Sequence, residues 1–72
     1  METRIFERSV TVLSTDGKHT ERFNPGERAQ NIKRIGRRVM FEPVSTHRVA
    51  GTYAMDWTEF ETSTTAVREA RA

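Results

Sequence analysis

Asn24-Pro25-Gly26-Glu27-Arg28-Ala29-Gln30-Asn31-Ile32-Lys33-Arg34-Ile35-Gly36 is the stretch that decides between an α+β and a mostly-β reading of this sequence. Asn is a favoured helix N-cap, Pro suits the first helical position, and a Glu three residues after the cap can reach back to its N–H. Ala29, Ile32 and Ile35 recur at i, i+3 and i+6 as a narrow apolar stripe, and Gly36 supplies a stop. The spacing predicts a helix over about residues 25–35. A helix of that length does not hold alone and must dock on a sheet. The alternative makes residues 27–41 a strand of a small, mostly-β barrel, and the opposite strand phases of Ile32 and Ile35 argue against it.

Upstream, residues 4–15 read as one strand. Phe6, Val10 and Val12 share one phase, Arg8 interrupts that phase, and Ile5 and Leu13 lie on the other face. Asp16-Gly17 is the strongest short-range hairpin signal, because a type I′ turn needs positive φ at both central residues. A two-residue loop there sets Val10 opposite Phe23, Thr11 opposite Arg22 and Leu13 opposite Thr20. Downstream, Arg37 to Val44 reads as a third strand that Pro43 ends, with Val39 and Phe41 in one phase and Met40 and Val44 in the other. Residues 48–60 form the fourth, with Val49, Tyr53, Met55 and Trp57 in one phase and Gly51 as a bulge or point of close approach. Trp57 is expected in the core with those neighbours. Ser63 caps a short helix from residue 64 to the end, with Ala66, Val67 and Ala70 as its weak apolar side. The fold expected is α+β: residues 1–72 form one small domain, a four-stranded antiparallel sheet in β-β-α-β-β order against one short helix, plus a short C-terminal helix.

Ile, Val, Leu and Phe make up 14 of the 72 residues, and the net charge is only +2. The first number describes a thin core; the second removes the self-repulsion that would drive disorder. A domain this small gains from a partner surface or from self-association. The absence of cysteine excludes disulfides, zinc ribbons and thiol nucleophiles, and points to an intracellular, cytoplasmic setting. Met1 to Val10 contains no apolar stretch of signal-peptide length, and no run is long enough to span a bilayer, so neither a leader nor a membrane partner is expected.

Catalysis has little support in the residues. His19 and His47 fall near loops, the four glycines are scattered rather than grouped in a phosphate loop, and Asp56, Glu59 and Glu61 do not converge on one strand face. A non-enzyme without metal or cofactor is the expectation. Charge is the one strong local bias. Arg28, Lys33, Arg34, Arg37 and Arg38 fall within residues 28–38 without an acid, whereas residues 53–61 carry Asp56, Glu59 and Glu61 without a base. Within the fold, the two stretches can pair as a solvated network of small energetic worth. As a surface, the basic stretch, extended by Arg48, suits phosphate or an acidic protein. The expectation is a small binding protein of the bacterial, plasmid or phage accessory kind, an inhibitor or modulator docking on a larger protein or ribonucleoprotein complex. Direct nucleic-acid binding is the alternative, with Tyr53 and Trp57 stacking on bases if they are exposed.

Overall fold

A computed structural model describes residues 3–44 and 51–67. Seven strands and one helix follow one another: β1 (Thr3–Phe6), β2 (Val10–Ser14), β3 (Thr20–Phe23), β4 (Arg28–Ile35), β5 (Arg38–Pro43), β6 (Tyr53–Asp56), α1 (Trp57–Ser63) and β7 (Thr64–Val67). All seven strands join one antiparallel sheet in the order β3-β2-β6-β5-β4-β1-β7. In a flat sheet β3 and β1, five places apart in that order, would lie roughly 24 Å from each other. The rings of Phe23 and Phe6, one on each, have centroids 5.0 Å apart. The sheet is therefore curled into a half-barrel, and its concave face holds the core.

This overturns the expected four-stranded sheet with two helices, most directly over residues 25–35. Asn24-Pro25-Gly26-Glu27 is a β-turn rather than a helix start. The Glu27 N–H donates to the Asn24 carbonyl at 3.1 Å, and Gly26 has φ +95°, as the third residue of a type II turn requires. The Glu27 carboxylate does reach back to the Asn24 N–H, at 2.7 Å. The reciprocal contact that reads as a helix cap is real, but it closes a turn. The chain then leaves as β4, tied to β1 by the Phe6 N–H to the Glu27 carbonyl at 2.8 Å.

A β-bulge accounts for the misleading stripe. Ala29 and Gln30 pair with Pro43 and Glu42, but Lys33 pairs with Met40, so Asn31 and Ile32 together oppose Phe41. Asn31 takes φ +52° and its side-chain amide donates to Glu42 at 2.9 Å. The extra residue flips the phase, so Ala29 and Ile32, three apart, both face the core. Ile35 falls on the outer face, 57% exposed.

The other boundaries move for local reasons. The single strand expected over 4–15 breaks at Glu7-Arg8-Ser9, where Arg8 spoils the alternation; β1 then pairs with β4 and β7 while β2 pairs with β3 and β6. The β2–β3 register is the expected one, with Val10 opposite Phe23 and Leu13 opposite Thr20. Its loop is longer than two residues. The Gly17 N–H donates to the Ser14 carbonyl, and among the described residues only Gly17 of the Asp-Gly pair has positive φ, which excludes type I′. The strand expected over 48–60 ends at Asp56, and residues 48–50 lie outside the described residues. Asp56 caps α1 by accepting the Glu59 N–H, and Trp57 opens that helix half-buried instead of continuing the strand. Residues 64–67, expected to begin the final helix, are β7; Thr64, Thr65 and Val67 are β-branched and suit a strand.

Phe41 lies against Phe6, Phe23, Tyr53 and Phe60, with centroids 5.2 to 6.4 Å away, and all five rings are buried. Phe41→Ala is expected to cost about 3–5 kcal/mol, read as the loss of most of the cooperative urea transition. A milder test reads the β2–β3 turn. The Ser14 hydroxyl and the Lys18 N–H both donate to the Asp16 carboxylate and hold its pKa below the usual carboxylate value. A depressed pKa contributes stability that is complete above the unfolded value and lost as pH falls through the folded one. Asp16→Asn should therefore flatten the acid limb of the stability–pH curve and leave the neutral limb parallel to that of the parent chain.

Candidate binding surface

The β4–β5 hairpin carries most of the cations singled out in the sequence. Ile35 pairs with Arg38, so Gly36 and Arg37 form a two-residue loop. Gly36 has φ +60° and Arg37 does not share the positive region, which makes this a type II′ turn and explains the glycine. Gly36, expected to stop a helix, instead supplies the positive φ of this hairpin turn.

Pairing fixes which way each side chain points. Val39 and Phe41 face the core, so Met40 and Arg38 face outward, and with them their partners Lys33 and Ile35. Arg34 pairs with Val39 and leans to the inner side. Its guanidinium lies over the Trp57 ring at 4.7 Å, and its Nε donates to the Gly36 carbonyl at 2.9 Å. The Trp57 N–H in turn donates to the Arg37 carbonyl at 2.7 Å. The hairpin tip is thus fastened to the start of α1.

Of the residues proposed from sequence, Lys33, Arg34, Arg37 and Arg38 gather at this tip. Arg28 does not join them. It opens β4 opposite Ile5, and the five residues to Lys33 put it roughly 17 Å down the strand. Arg48 lies outside the described residues. Arg34 is committed to Trp57, whereas Lys33, Arg37 and Arg38 are exposed and have no side-chain hydrogen bond or ion pair among the described residues. Arg38 is registered opposite Asp56. The acids do not form a surface of their own: Asp56 caps α1, and Glu59 and Glu61, two apart on a helix, diverge by about 200°.

These cations stand beside apolar ground that the sequence pattern did not reveal. Leu13 pairs with Ala54, and Ala54 pairs with Met40, giving an apolar row across β2, β6 and β5 on the outer face. Leu13 is 44% exposed and Ile35 adds a second exposed apolar side chain. These residues, Arg38 and the Ser14–Gly17 turn line an open groove of about 400 Å3. The off-phase positions of Leu13 and Met40 were the available signal. Placing Ile35 on a helix hid that they belong together.

The aromatic side chains are elsewhere. Phe6, Phe23, Phe41, Tyr53 and Phe60 are buried, and Trp57, half-buried, is covered by Arg34. These are all six aromatic residues of the chain. His19 is half-buried edge-on to Tyr53, its Nε2 3.4 Å from the phenol oxygen, and His47 lies outside the described residues. Among the described residues no three His, Asp or Glu side chains are placed to hold a metal ion, and no helix is long and apolar enough to cross a membrane. A second groove, of about 570 Å3, lies between β2 and α1, where Arg8 donates to the Ser63 hydroxyl at 3.0 Å. Comparison of the chain with protein-family models, with curated proteins and with solved structures gave no match.

The division among the tip cations is measurable. Arg34→Ala should lower stability by about 0.5–1 kcal/mol through the lost stacking on Trp57. Lys33→Ala and Arg37→Ala should each stay within about 0.5 kcal/mol of the parent. Equal losses at all three positions in urea unfolding would contradict this division.

Proposed function

We propose that this protein is a non-enzymatic binding module that modulates a larger protein or ribonucleoprotein complex by docking through the β4–β5 hairpin tip. The observation that carries the reading is the grouping of Lys33, Arg37 and Arg38, exposed and uncommitted, beside exposed apolar side chains. Arginine bordering apolar ground is the composition of protein interfaces and their hot spots. The acidic groups of a partner would meet the three cations. A cytoplasmic setting belongs to the same reading, on the strength of the cysteine-free sequence.

Nucleic acid remains the competing partner for the same cations, and two observations count against it. Non-specific single-strand binders stack bases on exposed aromatic rings, and here the rings are in the core or under Arg34. A phosphate backbone also has no use for Leu13, Ile35 and Met40. The test is the Arg37→Glu, Arg38→Glu double variant, with crosslinking to the partner recovered from native cells and with labelled oligonucleotides. The melting temperature should hold, because exposed charges contribute little. Partner capture should fall by at least tenfold, since reversal adds repulsion to lost attraction. Oligonucleotide affinity that drops about a thousandfold or more between 50 and 200 mM salt would instead make nucleic acid the partner.

A further inference from the structure

We infer that the groove on the outer face of the sheet receives an acidic–apolar peptide segment of the partner. Its apolar side chains would sit on the Leu13–Ala54–Met40 row and its carboxylates would reach Arg38 and Lys33. The inference rests on the docking reading above and adds the second half of the recognition surface.

An antiparallel sheet with one covered face normally alternates apolar-in and polar-out. Here the concave face already holds Val12, Val39, Phe41, Tyr53 and Met55, so the outer positions of the same strands are expected to be polar. At the middle of the sheet they are instead Leu13, Ala54 and Met40, adjacent through direct register, with Ile35 on the neighbouring strand. Single exposed apolar residues need no explanation; here exposed Leu13 and Ile35 are joined through half-buried Met40 and Ala54 into one open groove.

Charge decides what covers it. Of the uncommitted cations Arg38 lines the groove, between Ile35 and Asp56 in the adjoining row, and Lys33 stands next to it through its register with Met40. An occupant needs apolar side chains for the row and negative charge at that rim. A second copy of this chain fits poorly, because a two-fold contact over a patch this narrow would bring Lys33, Arg37 and Arg38 against their own counterparts. A nucleic acid satisfies the rim and leaves the row unfilled.

The probe is a randomised twelve-residue peptide library panned against the full chain, followed by amide and methyl chemical-shift mapping with the best retained peptide. Retained sequences should combine Asp or Glu with Leu, Ile, Met or Phe. Shifts should cover Leu13, Ala54, Met40 and Ile35 together with Arg38. Leu13→Ser with Ile35→Ser, both at exposed positions, should keep the fold and weaken the peptide at least tenfold, as should Arg38→Glu. Acidic peptides that bind the double serine variant unchanged, shifting only the hairpin tip, would overturn the groove and leave the docking reading standing. Retention of no peptide, or of basic or purely polar ones, would overturn both. Concentration-dependent dimerisation abolished by the serine changes would assign the groove to a second copy and overturn the inference.

Discussion

The contact between Phe6 and Phe23, at 5.0 Å, joins β1 to the edge strand β3, five places away in the same sheet. Everything else in the molecule is arranged around keeping that contact dry. Phe41 lies beneath both rings and Phe60, carried on α1, stacks on Phe41 from the open side at 5.2 Å. A short sheet can bury a face only by packing on a second layer or by folding onto itself. With one helix of seven residues among the described residues, the sheet does the second and the helix covers its open side. The thin aliphatic content, ten Ile, Val and Leu residues, is thereby offset by four Phe and one Tyr whose large rings fill the concave space.

Curling also explains which parts of the fold were legible. The β2–β3 register was readable from Val10 and Phe23 because both sit on regular strands, where alternation holds. Pro43 marked the end of β5, whereas the interruption at Arg8, read as a flaw within one strand, is where the chain breaks into β1 and β2. Curvature itself demands departures from alternation, and those are where the reading failed. The bulge at Asn31 places Ala29 and Ile32 on one face three residues apart, an interval that a helix also produces. Preceded by Asn-Pro-Gly-Glu, whose carboxylate-to-amide contact is common to a capped helix and to this turn, the imitation is complete at the level of single-sequence pattern. Gly26 at φ +95° is what separates the two, and its identity alone does not reveal its dihedral.

The same error limited the reading of the surface. Four of the six residues proposed for binding do sit together, because a compact charged run stays compact whether it is a helix end or a hairpin tip. Their division of labour depended on strand pairing. Arg34 and Lys33, adjacent in sequence, point to opposite sides of the sheet, so one stacks on Trp57 and the other stands on the outer face. A helix would have placed both near one end of its solvated side. Asp56 illustrates the reverse case: an acid that looked available from its neighbours Glu59 and Glu61 is occupied in capping α1.

The commitment of Arg34 matters for what its neighbours can do. Hairpin tips fray, and long cationic side chains on a fraying tip lose much of their attraction to the entropy of being ordered on contact. Here the turn is held by two attachments to Trp57, the stacked guanidinium and the hydrogen bond from the Trp57 backbone N–H to the Arg37 carbonyl. Neither attachment uses the side chain of Lys33, Arg37 or Arg38. The backbone that carries those three cations is therefore fixed by a ladder hydrogen bond and by a stacked pair on the inner face, which leaves the three charges themselves solvated. An arginine-rich run in which every member formed an internal ion pair would be a stabilising network with nothing to offer a partner. A run in which one arginine anchors the tip and three cations remain uncommitted has the organisation that the proposed docking role requires.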